Sequence, residues 1–285
     1  MVIRALRIPE PGETLLGGDF FTNPGGKGAN QAVAAARMGA DVTLIAKTGN
    51  DLFGRELIEV YRKEHIRTDF VFTDPRRPTG VAMITVDANG ENSIIVAPGA
   101  NHALLTTDID KALPAIRDCQ LVLLQLEIPV ETVTHIACLA AERGKPVVLN
   151  PAPACDLPAE LLGATNFLVP NRAEAEFLSG IRVTDKRSAL IAAEIMQRMG
   201  PRTVIITLGA DGVVVRDREE TYHVEAFPVV AVDTTAAGDA FCGVLCVGMA
   251  EGQPLRDAIK MAARAAAISV TRRGAQSSVP FRNEL

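Results

Sequence analysis

The run Asp233, Thr234, Thr235, Ala236, Ala237, Gly238, Asp239 sets two carboxylates around three small residues, ahead of an apolar, helix-patterned stretch at 240–249. The first turn of a helix has unpaired backbone N–H groups and the positive end of the helix dipole, so it can hold an anion. Ala236, Ala237 and Gly238 are small enough to let a phosphate reach those groups. Asp239 stands beside them as a proton acceptor for a hydroxyl attacking that phosphate. Together these residue types allow phosphoryl transfer. The competing reading is that Asp239 only caps a helix.

Other candidates are weaker singly. Gly26, Lys27, Gly28, Ala29 and Asn30 precede a helical pattern beginning at Gln31. Glycines there permit positive φ and close ligand approach, while Lys27 and Asn30 bring donors. The spacing is neither that of a Walker loop nor that of a dinucleotide fingerprint, and an ordinary glycine turn fits equally. Glu127 follows the apolar run at 121–126, as a partner for sugar hydroxyls or as a solvated acid. Asn171 and Glu174 are spaced as a capping box, or as a nucleotide-phosphate contact and a magnesium water network. Thr207, Leu208, Gly209, Ala210, Asp211 and Gly212 form either a nucleotide-binding loop or a simple turn between two strands.

The elements that must carry these residues alternate. Apolar β-type runs at 42–46, 121–126, 146–150, 167–170 and 203–208 are interleaved with helical patterns at 53–65, 130–144 and 189–199. Such runs predict a mostly parallel sheet covered on both faces, with ligands at the carboxyl ends of its strands. Asn150, Asn171 and Gly209 fall just past strand ends, in position to share one cleft. Segments 2–8, 14–22, 80–87 and 93–97 have the texture of antiparallel strands, the last two joined by a hairpin turn at Asn89 and Gly90. A sheet so small must cover something: a cleft, a second copy of itself, or both.

Composition narrows the function classes. The chain has 285 residues and a net charge of -5, without tryptophan and with two tyrosines. Neither a basic stripe nor a stacking platform for nucleic acid is present. No apolar run reaches membrane-spanning length and no signal peptide is evident, which predicts a cytoplasmic protein. The five cysteines show no C-x-x-C pair, Cys242 and Cys246 read as packed thiols, and the four histidines are dispersed, so a protein-built zinc site is not expected.

Taken in order, the blocks at 11–14, 25–32, 125–127, 150–153, 171–174, 207–212, 233–239 and 271–280 resemble the ribokinase family of carbohydrate kinases over most of the chain. The resemblance implies an α/β three-layer sandwich with a mostly parallel central sheet and a small antiparallel β lid. One kinase domain would span 1–285, with lid strands in about 1–22 and 79–97 over a body of 23–78 and 98–285. It implies phosphorylation of D-ribose by ATP. Asp239 would be the base, and Ala236, Ala237 and Gly238 the anion hole. Gly26, Lys27, Gly28, Ala29, Asn30 and Glu127 would hold the sugar. Asn171, the residues from Thr207 to Gly212, Gly238, Asp239 and Ala263 would hold ATP. Glu174 would reach Mg²⁺ through water. Asp233, Thr235, Ser269, Arg272, Gly274 and Ser278 match positions that ring a potassium ion, several through backbone carbonyls. A homodimer through the lid is also implied.

Two departures accompany the resemblance. Chains of the family open with a strand whose Asn and Asp bind the sugar, whereas this sequence starts at Met1 in the stretch that follows. Exposed sheet edges and apolar helix faces are therefore expected. Ala263 stands where Asn or His is common near the adenine, so contact there would be weaker or made by backbone. The rival expectations are a kinase for deoxyribose, fructose or a keto-deoxy sugar acid, and a catalytically impaired sugar-binding relative.

Overall fold

A computed structural model describes residues 1–88 and 92–285. Its elements are β1 (Val2–Arg4), β2 (Phe20–Phe21), α1 (Lys27–Arg37), β3 (Thr43–Gly49), α2 (Leu52–Lys63), β4 (Arg67–Asp74), β5 (Val81–Val86) and β6 (Asn92–Ala97). There follow α3 (Thr106–Lys111), α4 (Leu113–Asp118), β7 (Val122–Leu124), α5 (Val130–Glu142), β8 (Val147–Leu149), α6 (Ala159–Ala164) and β9 (Phe167–Leu168). The chain closes with α7 (Arg172–Ser179), α8 (Lys186–Arg198), β10 (Thr203–Thr207), β11 (Val213–Arg216), β12 (Thr221–Val224), α9 (Ala237–Ala250) and α10 (Leu255–Ser269).

Six strands form the main sheet in the order β12-β11-β10-β9-β8-β7. β7 to β10 run parallel, and β11 and β12 are antiparallel additions. Successive side chains of a strand leave opposite faces, so continuous apolar runs feed two cores. Val204 and Ile206 join the core beneath α5 to α8, while Ile205 joins the one beneath α1, α9 and α10. The result is three layers, helices on both faces of the sheet. α9 is apolar nearly all round because it is a buried central helix, packed against α1 and α10. Gly243 makes that packing possible, since a Cβ there would lie 2.5 Å from the Gln31 carbonyl oxygen.

The parallel sheet is in two pieces. β3 and β4 pair with each other in a separate two-stranded sheet. Both β3 and the β7 edge line a cavity of about 2110 Å³. Ile45, Ala46 and Lys47 of β3 are half-buried there.

The small sheet has the order β2-β1-β5-β6. The antiparallel expectation holds for β5 with β6 and for β1 with β2, but β1 runs parallel to β5. The strands expected at 2–8 and 14–22 shrink to three and two residues. The predicted turn at Asn89 and Gly90 lies outside the described residues. One face of this sheet, with Val2, Ile84, Ile94 and Val96, lines the cavity. The other carries Phe20, Met83 and Ile95, exposed by 63%, 62% and 71%. The crossings to this sheet are tight: a Cβ on Gly99 would lie 2.3 Å from the Pro78 carbonyl oxygen. Asp51 pins the same corner, accepting from Thr79 N at 2.7 Å and Thr79 Oγ1 at 2.6 Å.

A second tie closes the far end. Arg37, the last residue of α1, donates to the carbonyl oxygens of Gln276 and Val279 at 2.8 and 2.7 Å. Its guanidinium also pairs with Glu64 and stacks 4.7 Å from the centre of the Phe281 ring.

Candidate active site

Two helix starts meet at the site. α1 begins directly after Gly26, whose φ of 94° suits glycine. The backbone N–H of Lys27 donates to Glu127 Oε2 at 2.7 Å, which joins the glycine turn to the segment after β7. Gly28 is close-packed, since a Cβ there would meet Gln125 Oε1 at 2.9 Å. One turn on, Asn30 Nδ2 donates to Asp239 Oδ2 at 2.8 Å and Gln31 Nε2 donates to Asp239 Oδ1 at 3.0 Å. The sequence reading named Asn30 and left out Gln31. The Asn30 carboxamide oxygen is buried without a hydrogen-bond partner.

α9 starts three residues earlier than its apolar pattern suggests. Ala236 takes a left-handed conformation, φ 60°, and is the N-cap. Asp239 therefore sits inside the first turn and is not the cap. Its carboxylate is turned inward, 6% exposed, against α1. Among the described residues, no backbone acceptor is within reach of the Gly238 or Asp239 N–H. Gly238 itself is exposed, so these donors stand open at the positive end of the helix.

Asn171 and Thr207 lie side by side, joined in a parallel bridge at the carboxyl ends of their strands. The capping box is realised: Asn171 Oδ1 accepts from Glu174 N at 2.9 Å, and Glu174 Oε2 accepts from Asn171 N at 2.8 Å. Asn171 Nδ2 also donates to Glu174 Oε1 at 2.8 Å. The stretch from Thr207 to Gly212 is a turn between two strands, as one of its readings had it, with Gly209 and Gly212 at φ 63° and 83°. Leu208 is buried and Ala210 exposed. Asp211 is ion-paired with Arg172 at 2.7 Å. Ala263 lies on α10, packed against the core under α9.

The loop before α9 is tied to the end of α10. Asp233 accepts from Thr235 N and Gly274 N, both at 2.9 Å, and its own N–H reaches the Val270 carbonyl at 3.1 Å. Ser269 and Ser278 are fully buried, their hydroxyls spent on the Ala266 and Ala275 carbonyls. The Arg272 side chain leaves the loop to pair with Glu284. Of the six potassium candidates, the structure thus joins Asp233, Thr235 and Gly274 through the Asp233 carboxylate, and joins Ser269 to Arg272 through the Arg272 N–H and the Ser269 carbonyl at 3.0 Å. Among the described residues no cluster of His, Cys, Asp or Glu is arranged to hold a metal.

Electrostatics follow from burial. Desolvation pushes the Asp239 carboxyl above its ordinary range, opposed by the charge of Lys27 and the bonds from Asn30 and Gln31. Desolvation also raises Glu127 and Glu174, and the Asp239 charge adds to both. Asp233 is held below the usual carboxylate range: desolvation, its largest influence, works upward, but the bonds from Thr235 and Gly274 outweigh it. Two buried carboxylates, Asp239 and Glu174, and the half-buried Glu127 thus share the field of Lys27.

Comparison with known proteins agrees with this geometry. Residues 1–282 match the pfkB family of carbohydrate kinases. A ribokinase of Haemophilus influenzae is 43% identical over 283 residues, covering 99% of this chain and 92% of that one. A deoxyribokinase of Salmonella typhi is 40% identical over 275 residues, 96% and 90% of the two chains. The solved structure of an Arabidopsis thaliana ribokinase complexed with ribose and ATP superposes with a TM-score of 0.93 at 31% identity, covering 99% of this chain and 92% of that one.

Proposed function

This chain belongs to the pfkB family of carbohydrate kinases, and from that premise we propose that it transfers the γ-phosphoryl group of ATP to the 5-hydroxyl of D-ribose, giving D-ribose 5-phosphate. The observation that carries the reading is Asp239. It is a buried carboxylate gripped by Asn30 and Gln31, at the mouth of a helix where, among the described residues, the Gly238 and Asp239 N–H groups have no backbone acceptor.

In this reading the sugar lies between Lys27, Asn30, Glu127 and Asp239, its 5-hydroxyl against the Asp239 carboxylate. As the oxygen attacks, its proton becomes acidic and passes to Asp239, so an ordinary carboxylate suffices as base. The transition state is loose, with its charge on the phosphoryl oxygens, and the N–H groups at Gly238 and Asp239 stabilise that charge. ATP lies along Asn171 and the turn from Thr207 to Gly212, its adenine toward Ala263. Mg²⁺, reached from Glu174 through water, supplies neutralisation of phosphate charge when bound. K⁺ at the loop of Asp233, Thr235, Ser269, Arg272, Gly274 and Ser278 would fix the geometry of the anion hole.

The body is one domain, with the small sheet as a lid that keeps water from the phosphoryl group. Its outer apolar face, with Phe20, Met83 and Ile95, is where two copies would pack as a homodimer. No described helix is long and apolar enough to cross a membrane, and we place the enzyme in the cytoplasm. Phosphorylation of 2-deoxy-D-ribose is the second reading, favoured by the near-equal identity to the deoxyribokinase.

The test is ADP release from ATP and Mg²⁺ with D-ribose, 2-deoxy-D-ribose or D-fructose, in matched K⁺ and Na⁺ buffers. The expected result is fastest turnover with D-ribose, a 5-phosphate product by phosphorus NMR, and a higher rate in K⁺. Sugar-independent ADP release would refute the kinase reading, and a preference for 2-deoxy-D-ribose would transfer it to that sugar.

A further inference from the structure

A chain of carboxamides runs behind Asp239. Gln31 is 1% exposed and Asn150 is 7% exposed, and neither has been given a part in binding or transfer. Asn150 Nδ2 donates to the Val169 carbonyl oxygen at 2.9 Å. Asn150 Oδ1 accepts from Gln31 Nε2 at 3.1 Å, and the same Nε2 donates to Asp239 Oδ1 at 3.0 Å. Gln31 Oε1 accepts from Gln125 Nε2.

The direction of this chain is set at one end. A backbone carbonyl can only accept, so Val169 requires the amino group of Asn150. That leaves the Asn150 oxygen facing Gln31, which requires the Gln31 amino group and turns the Gln31 oxygen toward Gln125. Reversing the Gln31 amide would set an oxygen against the Asp239 carboxylate and an amino group against that of Gln125. Each broken bond would leave a buried polar group unpaired. Gln31 is thereby locked as a donor to Oδ1, and Asn30 holds Oδ2.

We propose that Gln31, oriented by Asn150, is a positioning residue that fixes the rotation of the Asp239 carboxylate for proton acceptance. The proposal rests on the kinase reading. The strand ends carrying Gln125, Asn150 and Val169 thus act on the reacting centre through one side chain. The charged and titratable groups facing Asp239 are Lys27 from α1, Glu127 after β7, Glu174 from α7 and Cys242 from α9.

The test uses Gln31→Met, similar in size and without a donor, beside Asn150→Leu, Gln125→Met and Asp239→Asn. Misplacing a reacting group by about 1 Å can cost ~10²-fold. Gln31→Met should therefore lose about that much kcat, with the KM values for ribose and ATP within about threefold. The acid limb of its pH profile should move to higher pH, because a bond favouring the ionised carboxylate is gone. Asn150→Leu removes the acceptor that orients Gln31 and adds no charge, so it should move kcat and the acid limb the same way, and Gln125→Met less far. A merely structural role would change melting temperature without moving the acid limb. If Gln31→Met does not fold, Asn150→Leu and Gln125→Met decide: an unmoved acid limb in both overturns the proposal. A full rate in Gln31→Met beside an inactive Asp239→Asn overturns the proposal alone. A full rate in Asp239→Asn removes the kinase mechanism and the proposal with it.

Discussion

In the six-stranded sheet Val148 and Ile205 are wholly shielded, with a strand on each side and a helix layer on each face. In the two-stranded sheet Ile45, Ala46 and Lys47 belong to the same kind of parallel strand, yet they are half-buried and open to the cavity. Sequence texture does not separate the two, since both are apolar and β-branched. What separates them is the number of paired edges. The closed half carries the proposed nucleotide residues and the start of α9, and the open half carries the approach to the lid. Low-stability regions have few buried apolar contacts and open backbone bonds, so the open half is where local opening should concentrate. The proposed base, Asp239, stands on the seam, lining the cavity.

The largest effect is expected at that seam. Asp239→Asn keeps the shape of the side chain and removes the proton acceptor. Because Asp239 is not the cap of α9, the helix start should survive. Turnover should fall by ~10²–10⁴-fold while ATP binding, followed by calorimetry, stays close to wild type. A rate within a few-fold of wild type would mean that the closed half does not supply the base.

The halves themselves can be set against each other by paired truncations. Ile205→Ala empties a sealed core position and should cost about 2–5 kcal/mol. Ile45→Ala should cost clearly less, because its surroundings already open on the cavity. Urea unfolding of both variants gives the comparison, and equal costs would erase the distinction.

The smallest effect is a shift in pH. Asp239 must be ionised to act, and burial already lifts its pKa above the ordinary ~3.9 of aspartate, with Lys27 the main opposing influence. Lys27→Met should move the acid limb of kcat/KM further up. The sign for stability is opposite to that of most carboxylates. The folded state holds this proton more tightly than the unfolded chain, so stability declines as pH rises from the unfolded pKa through the folded one. Denaturant midpoints across that interval should show a steeper decline in Lys27→Met than in wild type.

How much could be read from sequence depended on distance along the chain. The proposed anion-hole run is seven consecutive residues leading into α9, and the Asn171 to Glu174 capping box spans one helical turn, so the helix start and the box were legible as local features. Gln31 was passed over, because its meaning comes from Asn150 and Asp239, 119 and 208 residues away. β4 and β12 also went unread, since their polar and charged residues break the continuous apolar signal, whereas β11 was implied only as the strand after the turn at 207–212. The parallel pairing of β1 with β5 could not be read, because a period of two is the same in either direction. The residues proposed for the potassium loop fall in two segments of the sequence, and across those segments the fold joins Asp233 to Gly274 directly.

Arg37 has a bearing on how the protein comes into being. It clamps residues 276 and 279, and the same stretch supplies Gly274 N to Asp233, so the base of the anion-hole loop is finished by residues translated after every other part of the site. A nascent chain halted before Gly274 would already hold Lys27, Asn30, Glu127 and Asp239, yet Asp233 would lack its second donor and α1 its anchor. Competence for phosphoryl transfer would then arrive late in synthesis, after the ATP-binding turn and the base have both been made.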